Sequence, residues 1–164
     1  HNFSIKPDEV KKINVTMYDY VIGKHDHNNV TGISSAKMSI PYSIAISLVT
    51  NKASINEFET EYVNNKEILL LAKKVEVYGD NDLSLLVPDK RPAIVEIITY
   101  DGQRYKERVD FPKGEPENPL SDKELKNKFM SLATYGNKTE DEAEEIIECV
   151  WNIEDNLDKL FDLL

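Results

Sequence analysis

Two β-type runs that meet at an Asp-Gly pair constrain the fold of this chain most. The runs AIVEIITY and QRYKERVDF flank residues 101–102. Such a pair between alternating apolar residues predicts a β-hairpin, because glycine readily adopts the positive φ of a tight turn. With a two-residue turn, Ile98 faces Tyr105, and Glu96 faces Glu107 in an unfavourable like-charge pair unless a cation intervenes. We therefore predict a hairpin in a small antiparallel sheet.

The periodicity of the chain changes after residue 111. Before it, alternating runs at 10–19 and 74–80 predict further strands, and residues 40–51 are apolar on nearly all sides, as in a buried helix. After it, a proline-rich stretch leads into helical patterns. The chain is therefore predicted to be α+β, with a small antiparallel sheet and its hairpin packed on helices that include one buried central helix. We divide it into an α+β domain, 1–111, and a proline-rich strut with C-terminal helices, 112–164.

Helix starts are marked by side chains that can accept hydrogen bonds from first-turn amides. Three of them also have glutamate three residues later, the pattern of a capping box. The predicted N-caps are Ser39, Ser54, Asn65, Ser121 and Thr139.

The terminal helices carry apolar residues after the sheet has ended. These residues are Ile146, Ile147, Val150, Trp151, Leu157, Leu160, Phe161 and Leu164. An apolar helix face is stable only when another surface covers it. We expect these helices to pack on a partner surface and to make the isolated chain self-associate.

Composition excludes several classes of partner and site. With 30 acidic and 20 basic residues the formal charge is −10, which opposes binding to nucleic acid or to an anionic membrane. Cys149 is the single cysteine, so a disulfide or a cysteine-ligated metal cannot form within the chain. The sequence holds no apolar run of the roughly 20 residues that a membrane helix needs. We expect a cytoplasmic protein, and the start without methionine suggests a piece of a longer one.

Two clusters could carry chemistry, and each has a simpler interpretation. Arg104, Lys106 and Arg108 share one face of a strand and could bind a polycarboxylate, but charged side chains also protect exposed strands from pairing. His25 and His27 could bind a metal or move protons. They lie in a polar stretch, residues 23–35, that predicts a loop, where histidines are usually solvated. The simpler interpretation is favoured for both clusters.

Three segments, in order along the chain, resemble the MmgE/PrpD family. KMSIPYSIAISL is similar to the family pattern K-F-S-x-P-Y-x-x-A-x-x-L, and VPDKRPAIVEI is similar to P-x-x-R-P-A-x-V-x-[IV]. KGEPENPLSDKELKNKF resembles K-G-[DE]-P-x-N-P-[LM]-[ST]-x-x-E-[LF]-x-x-K-F. Members of this family include 2-methylcitrate dehydratase, cis-aconitate decarboxylase and iminodisuccinate epimerase.

The resemblance implies a domain arrangement. It identifies the chain as a lid domain with C-terminal helices that return to an N-terminal helical domain, which is missing here. The family active site lies in the cleft between the two domains, so the chain alone is expected to be inactive. A homodimer is also implied.

The resemblance further implies a chemistry. The substrate would be a small di- or tricarboxylate that loses a proton α to a carboxylate, followed by dehydration, decarboxylation or epimerisation. Tyr42 would be catalytic, donating a proton or orienting a carboxylate, while Lys37 and Ser39 would bind substrate. Neither a metal nor another cofactor is implied. The alternative is a non-catalytic binding or assembly module that docks through its terminal helices.

Overall fold

The computed structural model describes residues 5–163, so Leu164, one of the apolar residues predicted for the terminal helices, lies outside the described residues. The chain divides into two compact units, 1–118 and 119–164. Each unit has its own helices, and the sheet belongs to the first.

The first unit alternates strands with short helices. Its strands are β1 (Val10–Met17), β2 (Val75–Gly79), β3 (Ala93–Thr99) and β4 (Arg104–Val109), and its helices are α1 (Ile33–Lys37), α2 (Ile40–Thr50), α3 (Thr60–Val63), α4 (Lys66–Ala72) and α5 (Asn81–Ser84). Single 3₁₀ turns occur at Pro7–Glu9, Asp19–Val21 and Ile55–Phe58. The predicted α+β class is confirmed. Helix α1 begins inside the stretch that was predicted to be a loop.

The sheet is mixed, so the prediction of a purely antiparallel sheet is wrong. The strand order is β2-β1-β3-β4. Strand β2 runs parallel to β1, whereas the β1–β3 and β3–β4 pairs are antiparallel. Helices α1 to α4 separate β1 from β2, and a connection of that length allows the chain to return in the same direction.

The hairpin turn has three residues rather than two. The backbone N–H of Thr99 donates a 3.0 Å hydrogen bond to the Gln103 carbonyl, which closes a loop of residues 100–102. Gly102 has a φ of 87°. A three-residue hairpin loop places a left-handed residue at this position, and glycine adopts that conformation without strain.

The longer turn shifts the predicted pairing by one residue. Ile98 lies opposite Arg104 rather than Tyr105, and Glu96 lies opposite Lys106 rather than Glu107. A one-residue shift moves every side chain of β4 to the other face of the sheet. The predicted like-charge pair is therefore wrong, and Glu96 instead faces a cation.

The core lies between one face of the sheet and helices α2 and α4. Ile13, Val15 and Val75 from the sheet pack with Ile46 of α2 and Ile68 of α4 in one apolar cluster. Helix α2 has four fully buried residues and half-buried ones on its other sides. The predicted buried central helix is confirmed.

The second unit consists of helices α6 (Asp122–Tyr135), α7 (Glu140–Trp151) and α8 (Ile153–Leu163). Capping boxes at Ser121 and Thr139 begin α6 and α7, as predicted. An open apolar groove of about 210 Å³ lies between these two helices. Among the helices described within residues 5–163, none has both the length and the apolar character to cross a bilayer.

Candidate functional site

Tyr42 lies in the core of the first unit. It is fully buried, and its hydroxyl donates a 3.1 Å hydrogen bond to the backbone carbonyl of Glu57. Its ring lies 5.5 Å from the Phe58 ring, centroid to centroid. Burial raises the pKa of the Tyr42 hydroxyl to about 12, because the charged phenolate would lose its hydration. Tyr42 is therefore a neutral hydrogen-bond donor whose hydroxyl is engaged by the backbone.

Ser39 is the N-cap of α2 and is also buried. Its Oγ accepts a 3.1 Å hydrogen bond from the Tyr42 amide and donates one of 2.6 Å to the His27 carbonyl. The first bond satisfies an amide that has no partner inside the helix. The second ties the start of α2 to the loop before α1. The hydroxyl thus has two structural bonds.

Lys37 differs from Tyr42 and Ser39 because it is exposed. It lies in the last turn of α1, and the Met38 side chain beside it is 53% exposed. Within the part of the chain that the structure describes, the Lys37 ammonium has no ion-pair partner. A cation without a protein carboxylate next to it is available to an anionic ligand.

His25 is joined to the segment that contains these three residues. Its Nδ1 lies 3.1 Å from the Met38 carbonyl oxygen. A carbonyl oxygen only accepts hydrogen bonds, so Nδ1 carries the proton and Nε2 has the free lone pair. Among residues 5–163, Nε2 has no hydrogen-bond partner. The structure therefore sets the neutral tautomer of His25.

His27 has the opposite tautomer. Its Nε2 lies 3.2 Å from the Ser35 carbonyl oxygen and 3.3 Å from the Ser35 Oγ. Because the carbonyl can only accept, Nε2 donates to it and the lone pair is on Nδ1. The Asp26 carboxylate between the two histidines accepts a hydrogen bond from the Gly23 amide. Both rings are half-buried. Both histidines lie in the predicted loop and are partly exposed, and each ring also contacts the backbone of α1 or of the residue that follows it.

The basic row on β4 is largely paired within the protein. Arg104 lies 3.3 Å from the Glu96 carboxylate, and Arg108 lies 2.7 Å from Asp110. Lys106 occupies the register position opposite Glu96. This pairing leaves little free positive charge for a polycarboxylate, so it favours the interpretation of the row as a solvated strand face.

Metal-ligating residues do not converge in the described structure. Within residues 5–163, no group of three or more histidine, cysteine, aspartate or glutamate side chains could hold an ion.

Comparison with known proteins decides the family. The family model for the MmgE/PrpD C-terminal domain matches residues 1–153. The chain belongs to the MmgE/PrpD family. The chain is also 29% identical over 126 residues to cis-aconitate decarboxylase of Mus musculus, an alignment that covers 73% of this chain and 24% of that protein. It thus spans about a quarter of the length of this relative.

In this MmgE/PrpD domain, two of the motif segments contact each other. The Arg91 guanidinium of the R-P-A segment lies 3.2 Å from the Glu115 carboxylate of the K-G-E-P segment. The Arg91 amide donates a 3.1 Å hydrogen bond to the Asp110 carbonyl. These contacts fasten the residues before β3 to the residues after β4. Both motif residues therefore have structural roles.

The K-G-E-P-E-N-P segment forms a compact turn. Gly114 has a φ of 105°, and its amide donates a 2.8 Å hydrogen bond to the Asn118 carbonyl. The Asn118 side chain donates a 2.9 Å hydrogen bond to the Phe111 carbonyl. Glycine adopts this φ without strain, and an asparagine side chain satisfies a turn carbonyl. The geometry of this turn therefore requires glycine at position 114 and favours asparagine at position 118.

Sequence reasoning did not connect His25 with the residues around Met38. The structure joins them through the 3.1 Å hydrogen bond from Nδ1. The two residues are 13 positions apart in a stretch rich in glycine, asparagine and serine. The histidines were visible in the sequence, but a side-chain hydrogen bond to a backbone carbonyl leaves no periodic pattern.

Proposed function

We propose that this chain is the C-terminal domain of an enzyme that acts on a small di- or tricarboxylate by abstracting a proton α to a carboxylate. The observation that carries this proposal is the family match over residues 1–153. The similarity to a decarboxylase supports it, because cis-aconitate is a tricarboxylate. Loss of water, as from 2-methylcitrate, and epimerisation begin with removal of such a proton, whereas loss of carbon dioxide leaves a carbanion on the same kind of carbon that is then protonated. The enzyme would be a lyase or an isomerase.

Lys37 would bind the substrate, as the resemblance of its segment to the family motif implies. Its ammonium is exposed and has no carboxylate partner among residues 5–163. A carboxylate bound to it would form a charge-assisted hydrogen bond. Ser39 supports this position indirectly, because its bond to the His27 carbonyl holds the loop against α2.

The proposed catalytic role of Tyr42 requires a change of hydrogen-bond partner. Its hydroxyl now donates to the Glu57 carbonyl. Donation to a substrate, as an acid or to orient a carboxylate, would require that bond to break. Because the pKa of Tyr42 is raised to about 12, the hydroxyl would keep its proton at neutral pH. This keeps it a donor rather than a base.

The base and the opposite wall of the cleft would come from an N-terminal helical domain. The groove between α6 and α7 suits such a partner, since Leu125, Val150 and Trp151 are each almost half exposed. We propose that these helices pack on that domain and that the enzyme is a homodimer. The isolated chain would then lack turnover.

The proposal is tested with the full-length product of the gene that encodes this chain. The protein is incubated in D₂O with cis-aconitate, 2-methylcitrate and iminodisuccinate in turn, and the products are followed by ¹H NMR. One substrate should be consumed or should exchange its α proton, whereas its methyl ester should not react, because the ester lacks the charged groups. Complete absence of consumption and exchange with all three acids would contradict the proposal.

A non-catalytic binding or assembly module is the second candidate. It is favoured by one observation, which is that the hydroxyls of Tyr42 and Ser39 are both engaged inside the protein. Such a module would bind its partner through the α6–α7 groove and would not change any of the three acids. The D₂O assay separates the two candidates.

A further inference from the structure

His25 is hydrogen-bonded to the backbone of the residue that follows Lys37. The Met38 carbonyl that accepts its Nδ1 proton belongs to the residue between Lys37 and Ser39. The backbone of the two segments is joined as well, because the Ile40 amide donates a 2.8 Å hydrogen bond to the His25 carbonyl. The imidazole is thus held directly against the segment for which we propose substrate contact.

The hydrogen bond from His25 Nδ1 orients the ring and is not needed to attach the loop to α2. The loop is already tied to α2 by the Ile40 amide, at 2.8 Å, and by the Ser39 hydroxyl, at 2.6 Å from the His27 carbonyl. The additional bond from Nδ1 fixes the plane of the His25 ring and leaves Nε2 as its only free nitrogen. The Asp26 carboxylate beside it accepts a hydrogen bond from the Gly23 amide.

We propose that His25 is a substrate-contacting residue, and that its Nε2 binds a carboxylate of the small di- or tricarboxylate beside Lys37. This inference rests on the proposed function. In this complex Nδ1 would donate to the Met38 carbonyl and Nε2 would donate to a ligand carboxylate. The Lys37 ammonium, one residue before Met38 in the chain, would supply the second donor.

The two ring nitrogens can be separated by substitution. In His25→Asn, the amide nitrogen replaces Nδ1 and can still donate to the Met38 carbonyl, but the position of Nε2 is empty. In His27→Gln, the amide nitrogen replaces Nε2 and can still donate to the Ser35 carbonyl. His27→Gln is therefore a matched control that changes the neighbouring histidine and keeps its contact with the protein.

The experiment measures KM and kcat of the full-length enzyme with the acid that it converts. His25→Asn should raise KM about tenfold to a hundredfold, as expected for loss of one hydrogen bond to a charged group, while the melting temperature stays unchanged. His27→Gln should change KM less than about twofold. Unchanged KM in His25→Asn, or equal losses in both variants, would overturn the inference. A lack of turnover in the unmodified enzyme would instead contradict the proposed function, and the inference with it.

A second measurement covers the case in which His25→Asn does not fold. The unmodified full-length protein is labelled with ¹⁵N at its histidines and titrated with citrate, and the side-chain nitrogens of these histidines are followed by NMR. Citrate should shift Nε2 of His25 much more than Nδ1 of His27, and tricarballylate trimethyl ester should shift neither. Equal shifts, or no shift of His25 at millimolar citrate, would overturn the inference.

Discussion

The Tyr42 hydroxyl donates a 3.1 Å hydrogen bond to the Glu57 carbonyl inside the core of the first unit. This bond joins helix α2 to the 3₁₀ turn at Ile55–Phe58. It gives Tyr42 a structural role that is independent of any chemistry.

Tyr42→Phe should therefore change stability and activity by different amounts. Loss of the hydroxyl leaves a carbonyl without its donor, so the free energy of unfolding should fall by about 1 to 3 kcal/mol in urea titrations. If the hydroxyl also acts as a proton donor, kcat of the full-length enzyme should fall about a hundredfold or more.

The control is Tyr62→Phe, which removes a hydroxyl from a half-buried ring of the same unit. It should leave kcat unchanged. Unchanged kcat in the Tyr42→Phe enzyme would contradict the catalytic role proposed for Tyr42 and would leave only its structural role.

The three-residue turn predicts a specific sensitivity at Gly102. A Cβ at this position meets no atom within 4 Å, so a substitution there tests the φ of 87° alone. Gly102→Ala should lower the free energy of unfolding by about 1 to 2 kcal/mol. Gly102→Asn should lower it less, because asparagine tolerates this conformation. Equal losses for both variants in urea titrations would contradict the turn.

The Glu96 carboxylate predicts a loss of stability in acid. Its pKa is lowered, first by the hydrogen bond from Asn14 and then by the Arg104 guanidinium. A carboxyl whose pKa is lower in the folded state stabilises the protein at pH values above its ordinary pKa, which is near 4.5. This contribution disappears as the pH falls through the folded-state pKa. The urea concentration at the midpoint of unfolding should therefore decrease as the pH is lowered below about 5.

Two variants test the cause of that acid sensitivity. Glu96→Gln should flatten the dependence of the urea midpoint on pH, because the titrating group is gone. Asn14→Ala should also flatten it, because it removes the principal donor. A flattened curve in Glu96→Gln but not in Asn14→Ala would show that the hydrogen bond from Asn14 is not the cause.

The apolar groove of the second unit predicts that the isolated chain self-associates. Trp151 and Val150 are each 49% exposed at this groove, and apolar patches of this kind associate in water. Light scattering should give a mass above that of one chain at high concentration. Val150→Lys should reduce the association, whereas Glu144→Lys on the same helix should not. A clean monomer at high concentration would contradict the prediction.

The sequence predicted the features of the fold that depend on neighbouring residues. The capping boxes at Ser121 and Thr139 were correct because each is made by residues three positions apart. The buried helix was correct because residues 40–50 are apolar on nearly every side. Such signals do not require knowledge of distant segments.

Two kinds of feature were not predictable: contacts between residues far apart in sequence, and turns whose sequence fits more than one loop length. An Asp-Gly pair fits a two-residue and a three-residue loop, so the register between Glu96 and Lys106 was missed by one position. The parallel pairing of β2 with β1 joins residues such as Ile13 and Val75, which are far apart in sequence. The contact of His25 with Met38 is also invisible to a periodic pattern.

The most direct test of the proposed function is complementation between the two parts of the enzyme. The chain, a separately expressed N-terminal MmgE/PrpD helical domain and a mixture of both are assayed for dehydration of 2-methylcitrate and decarboxylation of cis-aconitate. Our account predicts turnover in the mixture and none in either part alone. Turnover by this chain alone, or an inactive mixture whose parts are shown to bind each other, would contradict it.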